Sequence, residues 1–221
     1  MTSIRQWPGG DGALLHFAPH ILSAALLAGT TPAGAFTVNI TAANPRTLYL
    51  QVGVGSFTGG NYNAGGTAAN NPTVNVVSVT VPAAQLGNGT AQTMSTNSGA
   101  TASFYDSYVF CNAPAQLYVG GFYRSTTNTG AATLRATSPA NLVNASGNTI
   151  PFTQISWTSS GNGDTGAQPF PAGTFTGGSQ TIGTINRNQW AESCLTFSYA
   201  NSSRVASGTY TGRVTYTLST P

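Results

Sequence analysis

Lysine is absent from this 221-residue chain, and beyond residue 35 histidine is absent too. Residues 36–221 keep only three carboxylate side chains, Asp106, Asp164 and Glu192, against six arginines. General acid–base and nucleophilic catalysis need a group that titrates near the working pH and a partner that tunes it. A Ser-His-Asp triad lacks its histidine here, and a serine–lysine dyad lacks its lysine. A glycosidase needs two carboxylates across one bond. Asp106 lies in an aromatic run, Asp164 in a glycine-rich loop and Glu192 just before Cys194, so the sequence places no such pair. The expectation is a protein that is not an enzyme, with no catalytic residue, no metal site and no cofactor.

Clustered positive charge is the second absence. Arg46, Arg124, Arg135, Arg187, Arg204 and Arg213 are scattered. A nucleic-acid reader needs a basic stripe along the phosphate backbone, so no nucleic-acid partner is expected. Long apolar runs are missing as well. The stretch from Ile21 to Gly29 is far short of the ~20 residues that cross a bilayer, and no later segment qualifies, which predicts no membrane span. That stretch follows Arg5 and precedes Ala33-Gly34-Ala35, the small-x-small pattern that signal peptidases accept. Residues 1–35 therefore read as a signal peptide cleaved before Phe36, and the remainder as secreted, periplasmic in transit or on the cell surface.

Cysteine is scarce. Cys111 and Cys194 are the only two, and an even pair in an exported chain predicts one disulfide. Two thiolates without a histidine or a third cysteine do not complete a zinc shell. The loop from Ser160 to Gly166 offers Asn162 and Asp164 to calcium, but with a single aspartate it reads as an Asx-type turn.

What the chain does have is 40% hydrophobic and 10% aromatic residues, enough to build a core rather than a disordered coil. Apolar alternation predicts strands over Arg46–Val52, Ser103–Cys111, Gln116–Tyr123, Ala132–Thr137, Thr149–Trp157, Thr181–Ile185 and Cys194–Tyr199. A further strand is expected over Thr73–Val81, where a phase shift between Val76 and Val77 suggests a β-bulge. Clusters such as Gly59-Gly60-Asn61 and Asn70-Asn71-Pro72 supply turns between them. Helical periodicity is hard to find. The fold class is thus all-β, a single antiparallel sandwich of immunoglobulin-like or pilin-like type spanning 36–221.

Alternation is cleanest at the end of the chain, where Gly208, Tyr210, Gly212, Val214, Tyr216 and Leu218 share one face and threonines and Arg213 share the other. The closing segment Ala206 to Leu218, with Gly208-x-Tyr210-x-x-x-Val214, resembles the ending of spore coat protein U domains and of related pilins assembled by chaperone and usher. That resemblance implies an exported, disulfide-bonded sandwich that lacks an edge strand, and polymerisation by donation of an N-terminal strand from the next subunit. The donor candidate is Phe36-Thr37-Val38-Asn39-Ile40, in which Phe36, Val38 and Ile40 alternate. The same segment also reads as the first strand of a self-contained sandwich that hides its own sheet edge. Pilins of this type carry a cysteine early in their first strand, whereas Arg46 to Gly55 has none, so a disulfide here joins Cys111 to Cys194.

The expected role is an exported structural or adhesive subunit of the cell surface, self-assembling or joining pilin subunits with a periplasmic chaperone and usher. The alternative is a monomeric glycan-binding module. Trp157, Trp190 and Tyr62 are its aromatic candidates, Trp157 being expected in the core and Trp190 on the surface as a ligand contact.

Overall fold

A computed structural model describes residues 36–221; the leader expected over 1–35 lies outside the described residues. Every paired strand in it is antiparallel, and among the described residues the only helical elements are two three-residue 3₁₀ turns. The fold is a two-layer β-sandwich.

The larger layer is built around the central strand Gln189–Tyr199, at 11 residues the longest among the described residues. Its strands run in the order Gly173–Thr174, Ile155–Ser160, Gln189–Tyr199, Leu117–Arg124, Thr47–Val52, and the short strands Thr37–Asn39 and Gln92–Thr93 also pair with the central one. The smaller layer has three strands, Ser179–Ile185, Ala132–Thr137 and Thr215–Ser219. Alternate residues meet between the layers, because side chains of a strand point to opposite faces with period two. Leu117, Val119, Tyr123, Ala191, Leu195, Phe197 and Tyr199 come from the larger sheet and Ala132, Leu134, Ala136, Ile182 and Ile185 from the smaller, all buried. At one end Phe175 packs edge-on to Phe152 (5.2 Å between ring centroids) and against Trp157 (4.9 Å). Trp157 is buried as its alternation with Ile155 predicted, and its indole N–H donates to the Pro171 carbonyl at 2.9 Å.

Several expected strands are shorter than predicted or missing. Of Thr73–Val81 only Val77–Ser78 pairs, with Ser95–Thr96, and Val74 and Val76 are exposed. The expected bulged ladder is replaced by side-chain bonds. Asn75 Nδ2 donates to Val52 O at 2.8 Å, and Val76 N donates to Asn97 Oδ1 at 2.7 Å, so asparagine amides take the place of a neighbouring strand. Ser103–Cys111 is a folded-back loop. Ser103 Oγ accepts from Tyr105 N, Asp106 Oδ1 accepts from Tyr108 N, Ser107 has φ 70°, and one bridge joins Ala102 to Val109. Thr149–Trp157 divides at Pro151, which starts a 3₁₀ turn before the strand resumes at Ile155.

The C-terminal strand covers only Thr215–Ser219. Before it, the Tyr210 hydroxyl donates to Ala206 O at 2.8 Å, closing a turn, and Thr211 makes a single bridge to Val143. Gly212 lies so close to Phe152 and Leu142 that a Cβ would stand 2.7 and 2.8 Å from them. Val214, Tyr216 and Leu218 remain on one side, half-buried against the core, with Thr215 and Thr217 exposed on the other.

Candidate functional site

The face of the larger sheet that points away from the sandwich is also buried. Trp190, Glu192 and Cys194 alternate along the central strand on that side, and Tyr118, Gly120 and Phe122 do so on its neighbour. Phe57 of the short strand Ser56–Thr58, Tyr62 of the loop after it, and Phe104 and Tyr105 of the loop 97–112 lie against them. Cys111 and Cys194 form a disulfide with Cα atoms 5.5 Å apart, tying the loop to the strand. The bonded cysteines are buried with Phe110 and Tyr118, and Phe36, Ala100 and Phe104 pack against them.

Trp190 is the hub of an aromatic box. Ring centroids of Tyr62 (5.3 Å), Phe122 (5.7 Å), Tyr49 (5.8 Å) and Tyr105 (5.8 Å) surround it. It is 0% exposed, which corrects the expectation that it is a surface contact. The alternation that exposes one face of a strand holds only while that face is wet, and here loops bring their own aromatic side chains over it. A ligand cannot stack on this ring in the folded state.

Next to the box lies Glu192, the one fully buried carboxylate among the described residues. Its Oε2 accepts from the Tyr118 hydroxyl at 2.5 Å and from the Trp190 indole N–H at 2.9 Å, while Oε1 has no hydrogen-bond partner. Burial pushes the Glu192 carboxyl above the ordinary carboxylate range, since a dehydrated charge is costly. The donors from Tyr118, Ser103 and Trp190 act in the opposite direction, the Ser103 hydroxyl doing so without completing hydrogen-bond geometry to Oε1. Burial also drives the Tyr118 phenol well above its usual value, with the Glu192 charge adding to the shift. Gly120, opposite Glu192 in the ladder, makes the arrangement possible: a Cβ there would stand 2.2 Å from the Tyr118 hydroxyl oxygen. A phenol held against a sealed carboxyl can retain a proton between them and tie two strands together, away from solvent.

Asp106 and Asp164, the other carboxylate side chains among the described residues, serve turns. Asp106 caps Tyr108 N, and Asp164 Oδ1 accepts from Gly166 N at 2.8 Å, the Asx turn expected of that loop. Among the described residues, no group of three or more His, Cys, Asp or Glu side chains converges as metal ligands, and no helix is long and apolar enough to cross a membrane.

The N-terminal segment sits at the edge of this same face. Thr37, Val38 and Asn39 pair with Ala191, Trp190 and Gln189 of their own chain. Ile40 N donates to Asn188 O at 2.8 Å, and Arg124 Nε donates to Thr41 O at 2.6 Å. Phe36, Val38 and Ile40 are half-buried while Thr37 and Asn39 are exposed, and the Phe36 ring lies 5.4 Å from that of Phe110. The structure thus brings together Phe36, Val38, Trp190, Cys111 and Cys194, which the sequence left scattered. It places Tyr210, Val214, Tyr216 and Leu218 elsewhere, against the sandwich core. Glu192, Tyr118 and the tyrosines of the box were not singled out as a unit. The alternation Trp190-x-Glu192-x-Cys194, a carboxylate in phase with a tryptophan and a disulfide, was the available signal.

Comparison with known proteins finds no matching family model, no similar curated protein and no similar solved structure.

Proposed function

We propose that this chain is an exported structural subunit of a cell surface or pilus-like fibre, assembled without catalysis by exchange of its N-terminal strand, as in the spore coat protein U and chaperone–usher pilins that its C-terminal segment resembles. The observation that carries this reading is the place of Phe36–Ile40. The segment is an edge strand with only three ladder pairs. Its apolar residues are half-buried, Phe36 against Phe110 and Tyr105, and the mostly exposed stretch 41–46 separates it from the next strand at Thr47. Strand addition at such an edge draws affinity from main-chain hydrogen bonds and register from alternate side chains. A copy of the segment from a second subunit would meet the same partners. A periplasmic chaperone and an usher are the partners this route implies.

The test is to lock the strand to its own chain. Asn39 and Gln189 face each other with their side chains in contact, Gln189 Nε2 donating to Asn39 Oδ1 at 3.2 Å. Oxidised Asn39→Cys/Gln189→Cys protein should stay monomeric, while the unlocked protein forms ladders that resist detergent until boiled. Ladders of equal length from the locked protein would defeat strand exchange.

A further inference from the structure

We propose that hydrolysis of the Ala35–Phe36 bond creates a ligand for a site already built into the fold: the new α-ammonium of Phe36 is bound by the carboxylate of Asp164, so that export processing and docking of the first strand are coupled. The inference rests on the export reading of the leader.

The position of the nitrogen is fixed from three sides. The Phe36 ring packs against Phe110 and edge-on to Tyr105, with centroids 5.4 and 6.1 Å away. Its carbonyl accepts from Glu192 N at 3.3 Å, and the residues that follow pair with the central strand. Phe36 N then donates to Asp164 Oδ2 at 2.9 Å, across 128 residues of sequence. The loop that carries Asp164 is shaped to present it. Gly161 stacks under Phe110, where a Cβ would lie 2.5 Å from the ring, and Gly163 turns the chain at φ 75°. Asn162 anchors the loop to the same segment, its N donating to Phe110 O at 2.9 Å and its Nδ2 to Val109 O at 2.8 Å.

The electrostatics are incomplete without a cation. Asp164 is half-buried, and its hydrogen-bond partners are the amides of Phe36, Gly166 and Gln168, all neutral. The other titratable groups around the site are Glu192 on the central strand, Asp106 and Tyr105 on the adjoining loop and Tyr108 beside Gly163. None of these is a cation. In the uncleaved chain Phe36 offers a single amide hydrogen. When water adds to the Ala35 carbonyl and the C–N bond breaks, Ala35 leaves as a carboxylate. The Phe36 nitrogen keeps the electron pair, takes up a proton and becomes a three-donor ammonium. A neutral contact is thereby converted into a charge-assisted one, shorter and about twice as strong.

The composition makes the test clean, because a chain without lysine has one amine, its N-terminus. The probe is acylation by acetic anhydride at pH 8, followed by mass spectrometry of the N-terminal peptide. Protein beginning at Phe36 should react about fivefold more slowly than its Asp164→Asn variant, since a rise of one pK unit from an ordinary α-amine value near 8 cuts the free amine at pH 8 from about a half to about a tenth. One added glycine before Phe36 should restore the fast rate with Asp164 intact, which answers the question even if Asp164→Asn folds poorly. Equal rates for the Phe36 start and the glycine-extended protein would overturn the site. Intact mass of the exported protein separates the premise from the site. A Phe36 start supports the coupling, and any other start overturns export processing at this bond while the acylation rates still judge the pocket.

Discussion

The two faces of the central strand Gln189–Tyr199 differ in how they are held. On the sandwich side Leu195, Phe197 and Tyr199 meet a second sheet through aliphatic and aromatic carbon, in a cluster of 19 buried residues. On the other side Trp190, Glu192 and Cys194 meet loops through a disulfide, a hydrogen-bonded carboxyl and a ring of aromatic side chains. A second sheet presents a continuous apolar surface, so burial alone stabilises the contact. Loops bring backbone and polar atoms with them, and these need specific partners. The pairing of Tyr118 and Glu192, the room left by Gly120 and the covalent bond are what a loop-covered face requires.

That contrast can be broken at its covalent point first. Replacing Cys111 and Cys194 by alanine should cost roughly 4 kcal/mol, because the bridge closes a sequence separation of 83 residues. Loss of the loop face should come first, read as a red shift of Trp190 fluorescence at denaturant concentrations where the sandwich strands still resist amide exchange. One concerted transition by both probes would mean the two faces fold as one unit. The sandwich face should respond to volume instead. Leu134→Ala, at a residue 0% exposed between the sheets, should cost about 3 kcal/mol from lost burial and the cavity left behind. Its denaturation midpoint should shift by the same amount at pH 4 and pH 7, since no titrating side chain is involved.

The smallest effect is the most diagnostic of the loop face. The folded Glu192 carboxyl titrates above its unfolded value. The stability it confers is therefore fully present below the ordinary carboxyl range and is lost as pH rises through the folded value. Glu192→Gln keeps an oxygen to accept from Tyr118 and Trp190 and removes the titration. It should match or exceed the wild type at pH 7, because the dehydrated charge that burial disfavours is gone. The advantage should vanish at pH 4. A variant that is destabilised equally at both values would assign Glu192 a packing role only.

The strands were legible where alternation met a partner strand on each side. Ala132–Thr137 appears with the predicted bounds, and Val214, Tyr216 and Leu218, which alternation put on one face of the closing segment, all pack against the core. Thr73–Val81 shows the limit. Its valines alternate well enough for a strand, yet ladder formation needs a neighbour, and the asparagines at 75 and 97 supplied a competing set of hydrogen bonds. Trp190 shows the same limit in three dimensions. Its position in an alternating run specifies which face it takes, and only the packing of Tyr49, Tyr62, Tyr105 and Phe122 around it settles that this face is dry.

By itself the sequence determined the chemistry open to this protein: three carboxylates, no lysine, two cysteines and β-periodic apolar residues from Phe36 onward. Those are properties of composition and spacing, which no folding can alter. Tertiary structure decided what each scarce group does. It buried Glu192 against Tyr118, joined Cys111 to Cys194, and set Asp164 against the nitrogen of Phe36. These pairings span 74, 83 and 128 residues. Contacts at such separations depend on loops closing over a sheet, and local periodicity carries no record of where a loop will land.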